Sequence, residues 1–184
     1  LCEKGEIGRG LEILLHMDRL GILPCERDYF HLLKVCSRMK SLLHTKQLIA
    51  HLTRHGFEPA TSFLGEYIVI ALAKCGALEE AHEVFNEMRI KDVVSWGVII
   101  SGNVQHGYSM HAFEIFDEMQ NKNIQPNDVI FSSILKACGN TGAAREGMLI
   151  HNQVIHCGYD VNVMIGNTLV DMYGKSGSLD EAFK

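Results

Sequence analysis

Residues 166–182 read GNTLVDMYGKSGSLDEA, and residues 65–81 read GEYIVIALAKCGALEEA. The two stretches match at an offset of 101 residues. Gly65/Gly166, Val69/Val170, Lys74/Lys175, Gly76/Gly177, Leu78/Leu179, Glu80/Glu181 and Ala81/Ala182 stay in register. Chance does not keep spacing and residue type together over so many positions. Two further echoes run at an offset of 102: LLKVC (32–36) with ILKAC (134–138), and LEILLHMDRLGILP (11–24) with FEIFDEMQNKNIQP (113–126). Gly56-Phe57 matches Gly158-Tyr159 at that same offset. A large unit of about a hundred residues therefore repeats, and it divides into three smaller ones.

Each small unit follows one plan. An apolar helix comes first, as in residues 96–106. A Gly-centred turn follows, at Gly76, Gly107, Gly142 or Gly177. A second, amphipathic helix comes next; in residues 110–120, Ala112, Ile115, Phe116 and Met119 fall at helical spacing. Several units close on Gly or Asn and then Pro, as in Gly21…Pro24, Gly56…Pro59 and Asn123…Pro126, which are helix-stop signals. No alternating strand pattern competes. One helix pair of this size cannot bury its own apolar face, so neighbouring pairs must stack. The expected architecture is an all-α solenoid of about eleven helices or part-helices in stacked antiparallel pairs.

Composition agrees with a folded chain: 47% of residues are hydrophobic and 21% charged, near globular averages. No apolar run reaches the length a membrane span needs. Six cysteines, at 2, 25, 36, 75, 138 and 157, form no CxxC pair, so reduced thiols in an intracellular compartment are expected. The chain begins and ends inside apparent helices and reads as a fragment, so the lack of a visible targeting segment carries no weight. The net charge of −5 argues mildly against a polyanionic partner, although it does not say where the charges lie.

Unit length separates the helical-repeat families. Runs of 36, 31, 35 and 35 residues (26–61, 62–92, 93–127 and 128–162) do not fit the regular tetratricopeptide pattern. The sequence instead resembles the pentatricopeptide repeat family, in particular its plant subclass of alternating P, L and S motifs. DVVSWGVIISGNVQHG and AFEIFDEMQNKNIQPN resemble the P type. FSSILKACGNTGAAREGMLIHNQVIHCGYD resembles the L type, and IGNTLVDMYGKSGSLDEA the S type. On this resemblance, residues 1–25 end a P unit. An L unit (26–61), an S unit (62–92), a P unit (93–127) and an L unit (128–162) follow, with a partial S unit at 163–184. The resemblance implies a right-handed α-α superhelix that binds single-stranded RNA in a chloroplast or mitochondrion. Site recognition for C-to-U editing is the role it implies, with editing accessory proteins as further partners. It implies no membrane, cofactor or small-molecule substrate, and no catalytic residue within this chain.

The resemblance also implies that the fifth and last residues of a unit hydrogen-bond one base and that the second residue wedges between bases. Reading a base by a few polar side chains on its Watson–Crick edge is chemically sensible. Carried over, the base-reading positions are Glu66 with Asp92, Gly97 with Asn127, Ser132 with Asn162, and Asn167. Ser132/Asn162 fits an adenine-favouring pair and Asn167 a pyrimidine-favouring position. Gly97 has no side chain to read with, Glu66/Asp92 would set two acceptors against one base, and Phe30/Thr61 has little polar capacity. Val94 and Val129 fit the wedge; Phe63 and Met164 are bulkier variants. First helices carry Lys34, Arg38, Lys74, Lys136 and Lys175 as candidate phosphate contacts, against Glu66 and Asp171. Second helices carry Glu79, Glu80, Glu83, Glu87, Glu114, Asp117, Glu118, Asp180 and Glu181. Lys74 and Lys175 could equally complement the C-terminal ends of their own helices, and the two roles are compatible.

Other features read blandly. His51 and His55 have one-turn spacing, but no carboxylate or thiolate companion falls at a known ligand spacing, so no metal site is expected. GKS at 174–176 lacks the upstream Gly and preceding strand of a phosphate loop. Cys36 and Cys138 read as core thiols, and Trp96 as packing between helices. Tyr67 and Tyr173 are open between stacking on a base and packing. The H-x-E and C-x-x-C of a zinc deaminase are absent from the sequence. A protein–protein interaction solenoid acting as a scaffold is the alternative function, since position five is polar in few units.

Overall fold

The computed structural model describes residues 2–58 and 63–177, with side chains from Ile7 onward. Among the described residues there are ten helices and no strand. They are α1 (Cys2–Arg19), α2 (Glu26–Met39), α3 (Leu42–Arg54), α4 (Gly65–Lys74), α5 (Leu78–Glu87), α6 (Val93–Gln105), α7 (Ser109–Asn121), α8 (Asp128–Thr141), α9 (Ala144–His156) and α10 (Val163–Lys175). The eleventh expected helix, at 178–184, lies outside the described residues, as does Thr61.

The chain forms two compact units, Leu1–Lys91 and Asp92–Lys184. In the first, α2 packs on α1, α3 and α4, and α4 packs on α5. In the second, α8 packs against both α6 and α10, while α7 and α9 cover them from one side. The first helices of the hairpins thus make one layer of each unit and the second helices the other. In the second unit Trp96, Ile99, Ile100, Ile130, Phe131, Ile134 and Leu135 are fully buried between the layers. Burying a large apolar side chain stabilises by about 1.5–3 kcal/mol, so this seam dominates the stability of the unit.

Local chemistry sets where the helices begin. Asp92 caps α6 by accepting a hydrogen bond from the Ser95 N–H (2.9 Å). Asn127 caps α8 through the Ile130 N–H (3.0 Å), and Asn162 caps α10 through the N–H groups of Met164 (2.9 Å) and Ile165 (3.3 Å). Each such cap contributes about 1 kcal/mol. The ends need left-handed backbone: φ is 68° at Gly142. The matching turn after α2 is made by Lys40 at φ 50°, where the side chain adds strain that glycine avoids.

Candidate nucleic-acid interface

In the first unit the first-helix layer carries a groove of about 520 Å³. Lys34, Arg38 and Lys74 line it together with Phe30 and Tyr67. The helical period explains the grouping: Phe30, Lys34 and Arg38 lie four residues apart on α2, so they form one stripe. Phe30 and Tyr67 meet edge to face with ring centres 4.6 Å apart, and Phe63 stands 6.5 Å from Phe30. The Lys34 ammonium sits 5.9 Å from the Phe30 ring centre. Three of the five candidate phosphate contacts therefore share one groove with aromatic faces. Ring faces stack on any base, and cations beside them neutralise the backbone.

The other two cations sit in the second unit. Lys136 is exposed on α8. Lys175 is already ion-paired with Asp171 one turn earlier (2.7 Å), so a phosphate would have to displace that carboxylate. The segregation of charge by layer is incomplete, since Lys46, Arg54 and Arg145 stand on second helices. Lys46 is paired there with Glu80, and that contact holds the Glu80 carboxyl below the usual carboxylate range.

The second-position residues share one property. Phe63 (55%), Val94 (43%), Val129 (50%) and Met164 (44%) are all exposed despite being apolar. The last-position residues Asp92, Asn127 and Asn162 are the helix caps described above. The amide of Asn162 also donates to Asp128 Oδ2 at 3.3 Å. The fifth positions differ. Ser132 is buried on α8, and its Oγ has no hydrogen-bond partner among the described residues. Asn167 is exposed and Glu66 half-buried. Gly97 is buried, and a Cβ there would lie 3.2 Å from Ile130 Cγ1. Close passage of α6 over α8 accounts for this glycine.

Cys36 and Cys138 are buried, and burial pushes their thiols up to about 11 and about 12 respectively. Trp96 is fully buried. Tyr173 is buried with its hydroxyl 3.0 Å from His151 Nδ1, whereas Tyr67 is the tyrosine that reaches the groove.

One expectation is corrected. His51 and His55 do have a carboxylate companion: Asp18 Oδ2 lies 3.0 Å from His51 Nε2, and Asp18 Oδ1 lies 2.8 Å from His55 Nε2. Asp18 comes from α1, 33 residues before His51, so no local ligand spacing could show it. The repeat carried the signal: at an offset of 102, Asp18 and His51 correspond to Gln120 and Gln153, which hydrogen-bond each other at 2.9 Å.

Comparison with known proteins fits this geometry. A PPR repeat family model matches residues 91–140, and a PPR repeat model matches 68–93 and 167–184. A mitochondrial pentatricopeptide repeat-containing protein of Arabidopsis thaliana is 34% identical over 99% of this chain, and a chloroplastic one is 33% identical over the whole of this chain. The chain spans 28% and 22% of the length of those two relatives. The organellar location that the family resemblance implies agrees with their names. Among solved structures, the maize pentatricopeptide repeat protein PPR10 matches 98% of this chain at a TM-score of 0.72 and 21% identity, over 26% of its own length. PPR10 in complex with an 18-nucleotide psaJ RNA element matches at 0.61. The PPR domain of Arabidopsis protein-only RNase P 1, in complex with tRNA, matches 94% of this chain at 0.77 and 16% identity, over 93% of its own length. With hairpin repeats, family models on both units and relatives aligned along nearly all of its residues, the chain belongs to the pentatricopeptide repeat family.

Proposed function

We propose that this chain binds single-stranded RNA through its first-helix face, as part of organellar RNA processing. The observation that carries the proposal is the groove of the first unit, where Lys34, Arg38 and Lys74 surround Phe30 and Tyr67. Cations at the rim attract phosphate and ring faces accept bases, a pairing with little use in a purely apolar contact between helices. Exposed Phe63, Val94, Val129 and Met164 supply apolar surface at one register position, whereas the Ser132 hydroxyl is buried and would have to be uncovered before it could touch a base. Two of the structural neighbours are complexes with RNA. The finer reading is recognition of C-to-U editing sites, and it rests on the alternating P, L and S motifs. On that reading Ser132 and Asn162 face an adenine, and Asn167 the next base toward 3′.

The test is fluorescence anisotropy of a labelled single-stranded RNA titrated with the 184-residue chain at several salt concentrations. With three phosphates engaged, log K should fall against log salt with a slope of about −2. The Lys34→Ala/Arg38→Ala/Lys74→Ala variant should bind weakly and lose most of that slope. If it matches the parent in affinity and slope, or if the parent takes duplex RNA equally well, the groove is not the RNA site and the scaffold alternative gains.

A further inference from the structure

We infer that Asp18, His51 and His55 form a binding site for a divalent first-row transition-metal ion of the zinc class, clamping α1 to α3. The two histidines lie one turn apart on α3, and both turn Nε2 toward the Asp18 carboxylate. One donor atom from each residue lies within 4.8 Å of the others. Zinc bonds of about 2.0–2.1 Å in tetrahedral directions set donor atoms about 3.3 Å apart, so an ion fits with small shifts. His51 is 4% exposed, and neither Asp18 Oδ1 nor His55 Nε2 is reached by solvent. Those two atoms approach to 2.8 Å without hydrogen-bond geometry. An ion held between the two atoms would satisfy both.

The surroundings are built for the same purpose. His51 Nδ1 lies 2.8 Å from the Tyr29 hydroxyl. In the metal-free protein Nε2–H donates to Asp18 Oδ2; once an ion replaces that proton, Nδ1–H can donate to the phenol oxygen and hold the ring in place. Two imidazoles and one carboxylate select zinc-class ions over calcium or magnesium, and three protein ligands leave a fourth position for water.

The second copy of the large repeat serves as an internal control. Tyr29, Asp18, His51 and His55 correspond to Phe131, Gln120, Gln153 and Cys157. The ring packing hardly changes: Tyr29 meets Phe57 at 5.8 Å and 62°, and Phe131 meets Tyr159 at 5.7 Å and 61°. Neutral side chains therefore suffice to close this junction. The Asp–His–His set and its tyrosine are additions that packing does not require.

The test uses the 184-residue chain, stripped with chelator and titrated with zinc chloride by calorimetry, with cobalt(II) absorption as a second readout. We expect one equivalent bound, a raised melting temperature, and a cobalt spectrum without an intense thiolate charge-transfer band. Asp18→Asn and His55→Gln should each abolish that equivalent. Tyr29→Phe, which copies Phe131, should weaken it by about tenfold to a hundredfold and, by leaving His51 Nδ1 without its partner, lower the metal-free melting temperature by a few degrees while the chain stays folded. This isosteric variant keeps the test decisive if either ligand variant unfolds. Absence of zinc binding by the parent, an equivalent that survives His55→Gln, or a thiolate band in the cobalt complex would each overturn the assignment.

Discussion

Asn162→Asp changes one side-chain group and tests how the last residue of a repeat is used. The cap on α10 should survive, because aspartate accepts from the Met164 and Ile165 N–H groups as well as asparagine does. The loss falls on the other side of the group. The Asn162 amide donates to Asp128 Oδ2 at 3.3 Å. Losing that bond costs about 1 kcal/mol. Setting two carboxylates at the same 3.3 Å separation costs about 1 kcal/mol more even at the dielectric constant of water. For a chain of this size, a total of about 2 kcal/mol lowers the melting temperature by about 4–8 °C. Adding Asp128→Asn should restore most of it, since the new amide can donate to the carboxylate introduced at position 162. Acid should do the same: below about pH 4 one carboxyl of the pair is protonated, so the deficit is present at neutral pH and fades as pH falls. The assay is thermal unfolding of the parent, both single variants and the double variant at about pH 7 and about pH 4. If Asn162→Asp melts with the parent at neutral pH, Asn162 and Asp128 are not in contact and the reasoning fails. On RNA, the same variant should shift preference at one base from A toward G by about fivefold, without change at neighbouring bases. The comparison is cleanest on the Asp128→Asn background.

Two further outcomes follow from the backbone and the core. Lys40→Gly should raise stability by about 1 kcal/mol, because φ is 50° there and the matching residue of the next copy is Gly142; chemical denaturation would show it as a higher midpoint. A thiol reagent at about pH 8 should modify the exposed Cys25 and Cys157 quickly and spare Cys36 and Cys138 until unfolding, since those two are buried and titrate at about 11 and about 12; mass spectrometry of the labelled chain reads this directly.

The repeat made the helices legible, because a periodicity of residue types survives any detail of packing. GALEEA at 76–81 announces a turn and the start of α5 without knowledge of what α5 touches. Contacts that join residues about 33 apart were hidden. Asp18 with His51 is one such pair, and Phe30 with Tyr67, 37 residues apart, is another. In a stacked-hairpin fold, functional groupings form across neighbouring units, at separations where local spacing rules are blind. Asp92, Asn127 and Asn162 show their structural role locally. Asp or Asn directly before an apolar helix is an N-cap signal in its own right. The same side chains hold the helix starts, whatever else they contact.

The two roles need not compete, and the cap can define what remains to be read. An asparagine side chain offers two acceptor lone pairs and two donor hydrogens. At Asn162 the Met164 and Ile165 N–H groups occupy the carbonyl oxygen, and Asp128 takes one hydrogen of the amide. One donor hydrogen remains. Under the proposed RNA reading, a capped asparagine therefore meets a ring nitrogen that accepts, as in adenine or cytosine. Asp92 differs: the Ser95 N–H uses one oxygen, the other keeps its lone pairs, and those suit the ring N–H of guanine or uracil. The helix start orients the amide and removes its carbonyl from the choice, so under the proposed reading discrimination between base classes would rest on whether the atom left over is a nitrogen or an oxygen. A residue that only capped would tolerate serine or threonine, which hold the helix start nearly as well but present neither the amide hydrogen nor the second carboxylate oxygen. Asn162→Ser should therefore preserve the melting temperature better than it preserves preference for adenine, and equal retention of both would separate the cap from base reading.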